Sequence, residues 1–121
     1  MSTGIFSHPD CYRHEMGEFH PECPQRLTAI DDQLILSRID DFLIKFSAPM
    51  ATEEQISMVH TPEHIKFVKS HRPTSGYAEI DGDTWMNPDT WNAALRAAGA
   101  GIAAVDAIMG KQLNNAFCAI R

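Results

Sequence analysis

Apolar positions along this chain switch between two spacings, and the switches mark out its elements. Thr3 to Ser7 is short and partly β-branched, which predicts a first strand, followed by a polar loop with His8, Pro9, Asp10 and the stretch from His14 to Gly17. From Pro24 the spacing changes: Leu27, Ile30 and Leu34 recur at helical intervals behind a proline suited to a first turn, predicting a helix to about Arg38. Phe42 to Phe46 is a compact apolar run ahead of Pro49 and predicts a second strand.

Thr52, Glu53, Glu54 and Gln55 spell a capping box, in which the threonine hydroxyl accepts from a free amide while the glutamine reaches back, so a short helix starts there. Thr61 and Pro62 predict another, with Ile65 and Val68 on its inner face and His71, Arg72 and Pro73 closing it. Thr74 to Met86 carries glycines and aspartates without a helical period and predicts an exposed loop. Asn87 and Pro88 repeat the cap-then-proline signal, predicting a long helix from Pro88 to Met109 with Gly110 as its stop. Its alanines and glycines from Ala93 to Ala104 have so little bulk that the helix can approach a sheet closely; Arg96 and Asp106 argue against a membrane-dimer seam. Asn114 to Arg121 predicts a buried strand ending the chain. Strand, helix, strand, helices, strand is the order of an α/β layer with a mainly parallel sheet.

At 121 residues this is one modest domain, and 44% hydrophobic with 21% charged residues excludes a disordered or collagen-like chain. A formal charge of -6, with ten scattered Lys and Arg, disfavours nucleic acid as a partner. No apolar run reaches membrane-spanning length, and the amino terminus lacks a signal-peptide pattern. The three cysteines, Cys11, Cys23 and Cys118, suit a reducing compartment, and a cytoplasmic location is expected.

Three local patterns invite a metal. His60 to His64 matches H-x-x-E-H, but Pro62 opens the helix at Thr61, so His60 is expected to lie off the face that carries His64 and the protease reading falls. Cys11-x-x-His14 with His20-x-x-Cys23 offers the four ligands of a tetrahedral zinc site, against the plainer reading of two loop histidines and two thiols. Asp81-x-Asp83 lacks the glycine position and the bidentate glutamate of a calcium loop. Ser7, Thr52 and the cysteines show no arrangement of an activated nucleophile.

Gly4 to His8, His20-Pro21-Glu22-Cys23-Pro24-Gln25-Arg26-Leu27, Val59 to His64, Asp81-Gly82-Asp83-Thr84 and the final strand together resemble the amino-terminal portion of the zinc-dependent histone deacetylase and acetylpolyamine amidohydrolase family, in its class II-like bacterial form. The resemblance implies a partial arginase/deacetylase-like three-layer α/β fold, a small mainly parallel sheet flanked by helices, over residues 1–121. It places Asp83 at the rim of a substrate pocket, where a carboxylate accepts hydrogen bonds from the substrate backbone; a turn-forming aspartate is the alternative. It places Arg26 in an internal channel; a simple salt bridge is the alternative. His20 falls in the family's His-Pro-Glu segment as a structural histidine.

In the complete family enzyme zinc polarises an acetyl amide and activates water while paired histidines move protons. The resemblance puts those histidines and the metal ligands in a Pro-Pro-Gly-His-His segment and beyond, after Arg121, so no catalytic residue, metal ligand or cofactor is expected within this chain. Two readings stay open: a deacetylase-like domain without independent catalysis, acting as an interaction module, and part of an acetyl-lysine or acetylpolyamine amidohydrolase completed by further sequence or a second chain. An uncovered strand near Asn115 to Ile120 further implies self-association, most simply a homodimer.

Overall fold

Strand β1 (Thr3–Ser7) lies between β2 (Leu43–Ser47) and β5 (Asn115–Cys118), both parallel to it, in a computed structural model that describes residues 1–121. The register sets Phe6 beside Phe46, with the rings stacked at 4.7 Å, and Ile5 beside Phe117. Alternation across the pleat then divides the core in two. Ile5 points to the face covered by α1 (Asp10–Arg13) and α2 (Gln25–Leu36), where it packs with Cys11, Leu27 and Ala119. Phe6 points to the opposite face and meets Ala100, Ala104 and Ala107 of α5 (Thr90–Met109), together with Ala48 and Leu113. Helix, sheet and helix are thus the three expected layers, and the sheet is the expected small parallel one.

The bulk-free stripe on α5 is used for close approach. A Cβ on Gly99 would stand 1.8 Å from the carbonyl oxygen of Pro49, and the Ala51 amide donates to the Leu95 carbonyl at 2.9 Å. Glycine here serves backbone contact, its conformation being ordinary helix. Helices α3 (Glu53–Ile56) and α4 (Pro62–Ser70) begin as expected: the full capping box forms at Thr52 and Gln55, and Thr61 accepts from the His64 amide.

Several expectations are corrected. Thr74 to Met86 is no featureless loop, because β3 (Ala78–Asp81) and β4 (Thr84–Met86) pair antiparallel, with Met86 2% exposed. Their alternation is too short to stand out beside Gly82 and the aspartates. The polar loop after β1 contains the single turn α1, and both Asp10 and Cys11 are buried in it. Helix α5 starts at Thr90 rather than Pro88, since Asn87 Oδ1 accepts from the Asp89 amide and the Thr90 hydroxyl and forms a turn ahead of the helix. Strand β5 is half exposed rather than buried, Cys118 included, and Phe117 is 50% exposed. Its one neighbour in the sheet is β1. No helix is long and apolar enough to cross a membrane.

Candidate functional site

Parallel α/β sheets present their chemistry at the carboxyl ends of the strands. Here that edge is roofed by the loop between β1 and α2, and one arginine holds the roof down. Arg121, just past β5, has a guanidinium only 1% exposed. Its Nε and Nη2 donate to the two oxygens of Glu22 at 3.0 and 2.5 Å. Its Nη1 donates to the carbonyl of Cys11 at 3.2 Å and to that of His14. The fork shape of the guanidinium lets a single side chain close the carboxylate and both carbonyls at once. Burial alone would raise the Glu22 carboxyl, but the hydrogen bonds and charge of Arg121, helped by Arg26, hold it below its ordinary value.

A second buried ion cluster fixes the start of the same loop. Asp10 receives Arg96 Nε at 3.0 Å and Arg13 Nη1 at 2.8 Å, and Arg96 also donates to the Ala48 carbonyl at 3.0 Å. Burial opposes ionisation of Asp10, yet the Arg96 hydrogen bond and the surrounding positive charge leave its pKa lowered. Arg96 thus ties α5 to α1 and to the end of β2.

His14 sits between the two clusters. Its Nδ1 lies 2.8 Å from the Thr90 hydroxyl and its Nε2 3.7 Å from Glu22. Because the Thr90 hydroxyl donates to Asn87, the His14 Nδ1 is the donor in that contact, and Asn87 in turn donates to the Arg13 carbonyl at 2.7 Å. Burial, reinforced by the nearby Arg121 charge, lowers the His14 pKa, so the ring is held neutral.

The β3–β4 hairpin meets the roof through its turn. His20 Nε2 is 3.2 Å from the Asp83 carbonyl and 3.4 Å from its carboxylate, and the Asp83 side chain is 97% exposed. Asp83 therefore stands free at the hairpin turn, steadied by one histidine of the roof. Arg26, assigned to an internal channel by resemblance, is half exposed here and pairs with Glu22 at 2.7 Å.

These partners also decide the zinc reading. Cys11 is fully buried, and burial pushes its thiol pKa up; His14 is engaged by Thr90, and His20 by Asp83. No three His, Cys, Asp or Glu side chains converge, so the four-ligand set offered by Cys11, His14, His20 and Cys23 is not assembled. His60 and His64 give the opposite correction: their rings lie 4.9 Å apart, so Pro62 does not separate them. The residue before an N-cap folds back over the first turn, as in a hydrophobic staple, and brings His60 over His64.

Sequence reasoning missed Arg121, Glu22 and the Asp10–Arg96 pair. The available signal was a lone cation ending the apolar run Ala116 to Ile120, and another interrupting the alanine-rich helix.

Comparison with known proteins agrees with the α/β fold. The histone deacetylase domain family matches residues 20–121. A probable deacetylase of Archaeoglobus fulgidus is 34% identical across the whole of this chain, which spans 34% of that protein. Human polyamine deacetylase HDAC10 is 30% identical, and the chain spans 19% of it. The crystal structure of the HDA15 HD domain superposes with a TM-score of 0.91 at 28% identity, over 99% of this chain and 35% of that one. The chain thus corresponds to about a third or less of the length of these relatives.

Proposed function

This chain belongs to the histone deacetylase family, and we propose that it forms the amino-terminal portion of a deacetylase-like domain, without catalysis of its own, that builds one wall of a pocket for an acetylated amine. The observation that carries this reading is the open edge at β5, next to a roof held by buried ion pairs. The strands of a parallel sheet are normally covered on both faces. Here Phe117 is half exposed on a strand with a single partner.

Further protein, from the same chain or another, would cover β5 and supply the hydrolytic residues. Asp83 would then hold the substrate backbone at the rim, and Arg26 would turn from a half-exposed salt bridge into a lining group of the interior. The substrate would be acetyl-lysine or an acetylpolyamine; the human relative is named a polyamine deacetylase. Three free thiols fit a reducing compartment, and we assign the cytoplasm.

The test is hydrolysis of an acetyl-lysine peptide and an acetylpolyamine by the purified chain, alone and mixed with the carboxyl-terminal remainder of the Archaeoglobus relative. No turnover is expected from the chain alone, and a complex with turnover is expected on mixing. Zinc-dependent turnover by the chain alone, surviving removal of contaminating enzymes, overturns the reading.

The same edge favours an interaction role for the isolated chain. Unpaired backbone and apolar surface from Asn115 to Ile120 recruit a second copy, most simply across a twofold axis. Light scattering coupled to size exclusion should give a dimer that Phe117→Asp weakens. A strictly monomeric mass over a wide concentration range sinks this role.

A further inference from the structure

We propose that His60 and His64 form a two-histidine site for a divalent transition-metal cation, at the mouth of the groove between α4 and α5. It is separate from the roofed edge of the sheet and does not depend on what covers β5.

Thr61 has extended backbone, φ -68 and ψ 153, which swings His60 back over the first turn of α4, where His64 is the third helical residue. The ring centroids are 4.9 Å apart with planes tilted by 33°. With metal–nitrogen bonds of about 2.1 Å, two imidazoles on one ion have centroids roughly 4.6 Å apart for a right-angled arrangement and roughly 5.3 Å apart for a tetrahedral one. The observed separation falls between these limits. Both residues are exposed, so a hydrated cation can reach them.

The two rings also differ from the other histidines in what they already touch. His8 accepts from the Asp10 amide, His14 meets Thr90, His20 meets Glu22 and Asp83, and His71 meets the Phe67 carbonyl. The His60 and His64 rings neighbour each other at a 33° tilt and line a cavity of about 210 Å³ with Ile56, Ile65, Trp91 and Leu95. Two protein nitrogens leave the remaining coordination positions to water or to an incoming ligand. Imidazole donors suit Ni²⁺, Cu²⁺ and Zn²⁺, and Ni²⁺ is the probe of choice because free thiols compete more strongly for zinc.

Titration of the 121-residue chain with Ni²⁺ by calorimetry should show one saturable site. Either His60→Gln or His64→Gln should weaken it at least tenfold, with circular dichroism showing that each variant keeps its fold. In proton NMR of the unsubstituted chain, Ni²⁺ should broaden the His60 and His64 ring signals and the Trp91 indole while sparing Trp85. Undiminished binding in both variants overturns the proposal. So does the lack of saturable binding below millimolar Ni²⁺, or broadening centred on other histidines.

Discussion

Replacing Arg121 by alanine tests whether one buried guanidinium holds the roof over the sheet. The substitution removes two hydrogen bonds to the Glu22 carboxylate, a longer one of 3.5 Å to the Glu22 carbonyl, and one each to the carbonyls of Cys11 and His14. Breaking a buried ion pair from one side costs about 3–5 kcal/mol, because the surviving charge is left without its partner. Glu22 moderates that figure, since its side chain is 33% exposed and keeps both water and Arg26. The carbonyls of Cys11 and His14 lose a donor and keep their desolvation cost, about 1 kcal/mol or more each. We therefore expect a loss of about 3 kcal/mol, equivalent for a chain of this size to a fall of roughly 10 °C in Tm.

Arg121→Lys should recover only part of the loss, because a point charge on a flexible stem cannot satisfy carboxylate and carbonyls together. Urea unfolding followed by circular dichroism and tryptophan fluorescence measures both variants, and Glu22→Gln supplies a milder perturbation of the same contact if Arg121→Ala fails to fold. A loss below about 1 kcal/mol for Arg121→Ala, or full rescue by lysine, refutes the reasoning.

Three further outcomes follow from the packing and the charges. Stability should fall on acidification. His14, Glu22 and Asp10 all have folded pKa values below their ordinary 6.5, 4.5 and 3.8, so each contribution is present above that value and is lost as pH falls through the folded one. Urea midpoints that stay flat from pH 7 to pH 3 would contradict this. Gly99→Ala, normally favourable inside a helix, should instead destabilise by about 1–3 kcal/mol, because its Cβ collides with the Pro49 carbonyl at 1.8 Å; a raised thermal midpoint would show that α5 packs elsewhere. Asp83→Ala should leave the unfolding midpoint unchanged, since its side chain is 97% exposed, and loss of folding would disprove its place at the rim.

What could be read from the sequence was what local chemistry dictates. Thr52 with Gln55 and Thr61 with Pro62 set helix starts whose hydrogen bonds appear as written. The small residues of α5 announced close packing, although not that Gly99 would meet the Pro49 backbone instead of the sheet. The β3–β4 hairpin escaped because strands of four and three residues give too little alternation to read against Gly82 and its aspartates. The candidate site escaped for a different reason. His20 and Asp83 are 63 residues apart, Asp10 and Arg96 86, and Glu22 and Arg121 99, so no local spacing reports them.

A weaker signal lay in the burial rule rather than in spacing. A cation set into an apolar element must find an anion or a row of carbonyls, so Arg96 and Arg121 each implied a partner without naming it. The structure supplies both partners from one loop, Asp10 near its start and Glu22 near its end. That makes the loop between β1 and α2 a strap clamped at two points onto the carboxyl edge of the sheet, with His14 neutral between the clamps. A strap so fixed leaves His20 placed to steady Asp83 at the hairpin turn. Releasing either clamp should therefore disturb the His20 contact with the hairpin turn before it disturbs α5, whose Ala100, Ala104 and Ala107 pack on Phe6 without any of these charges.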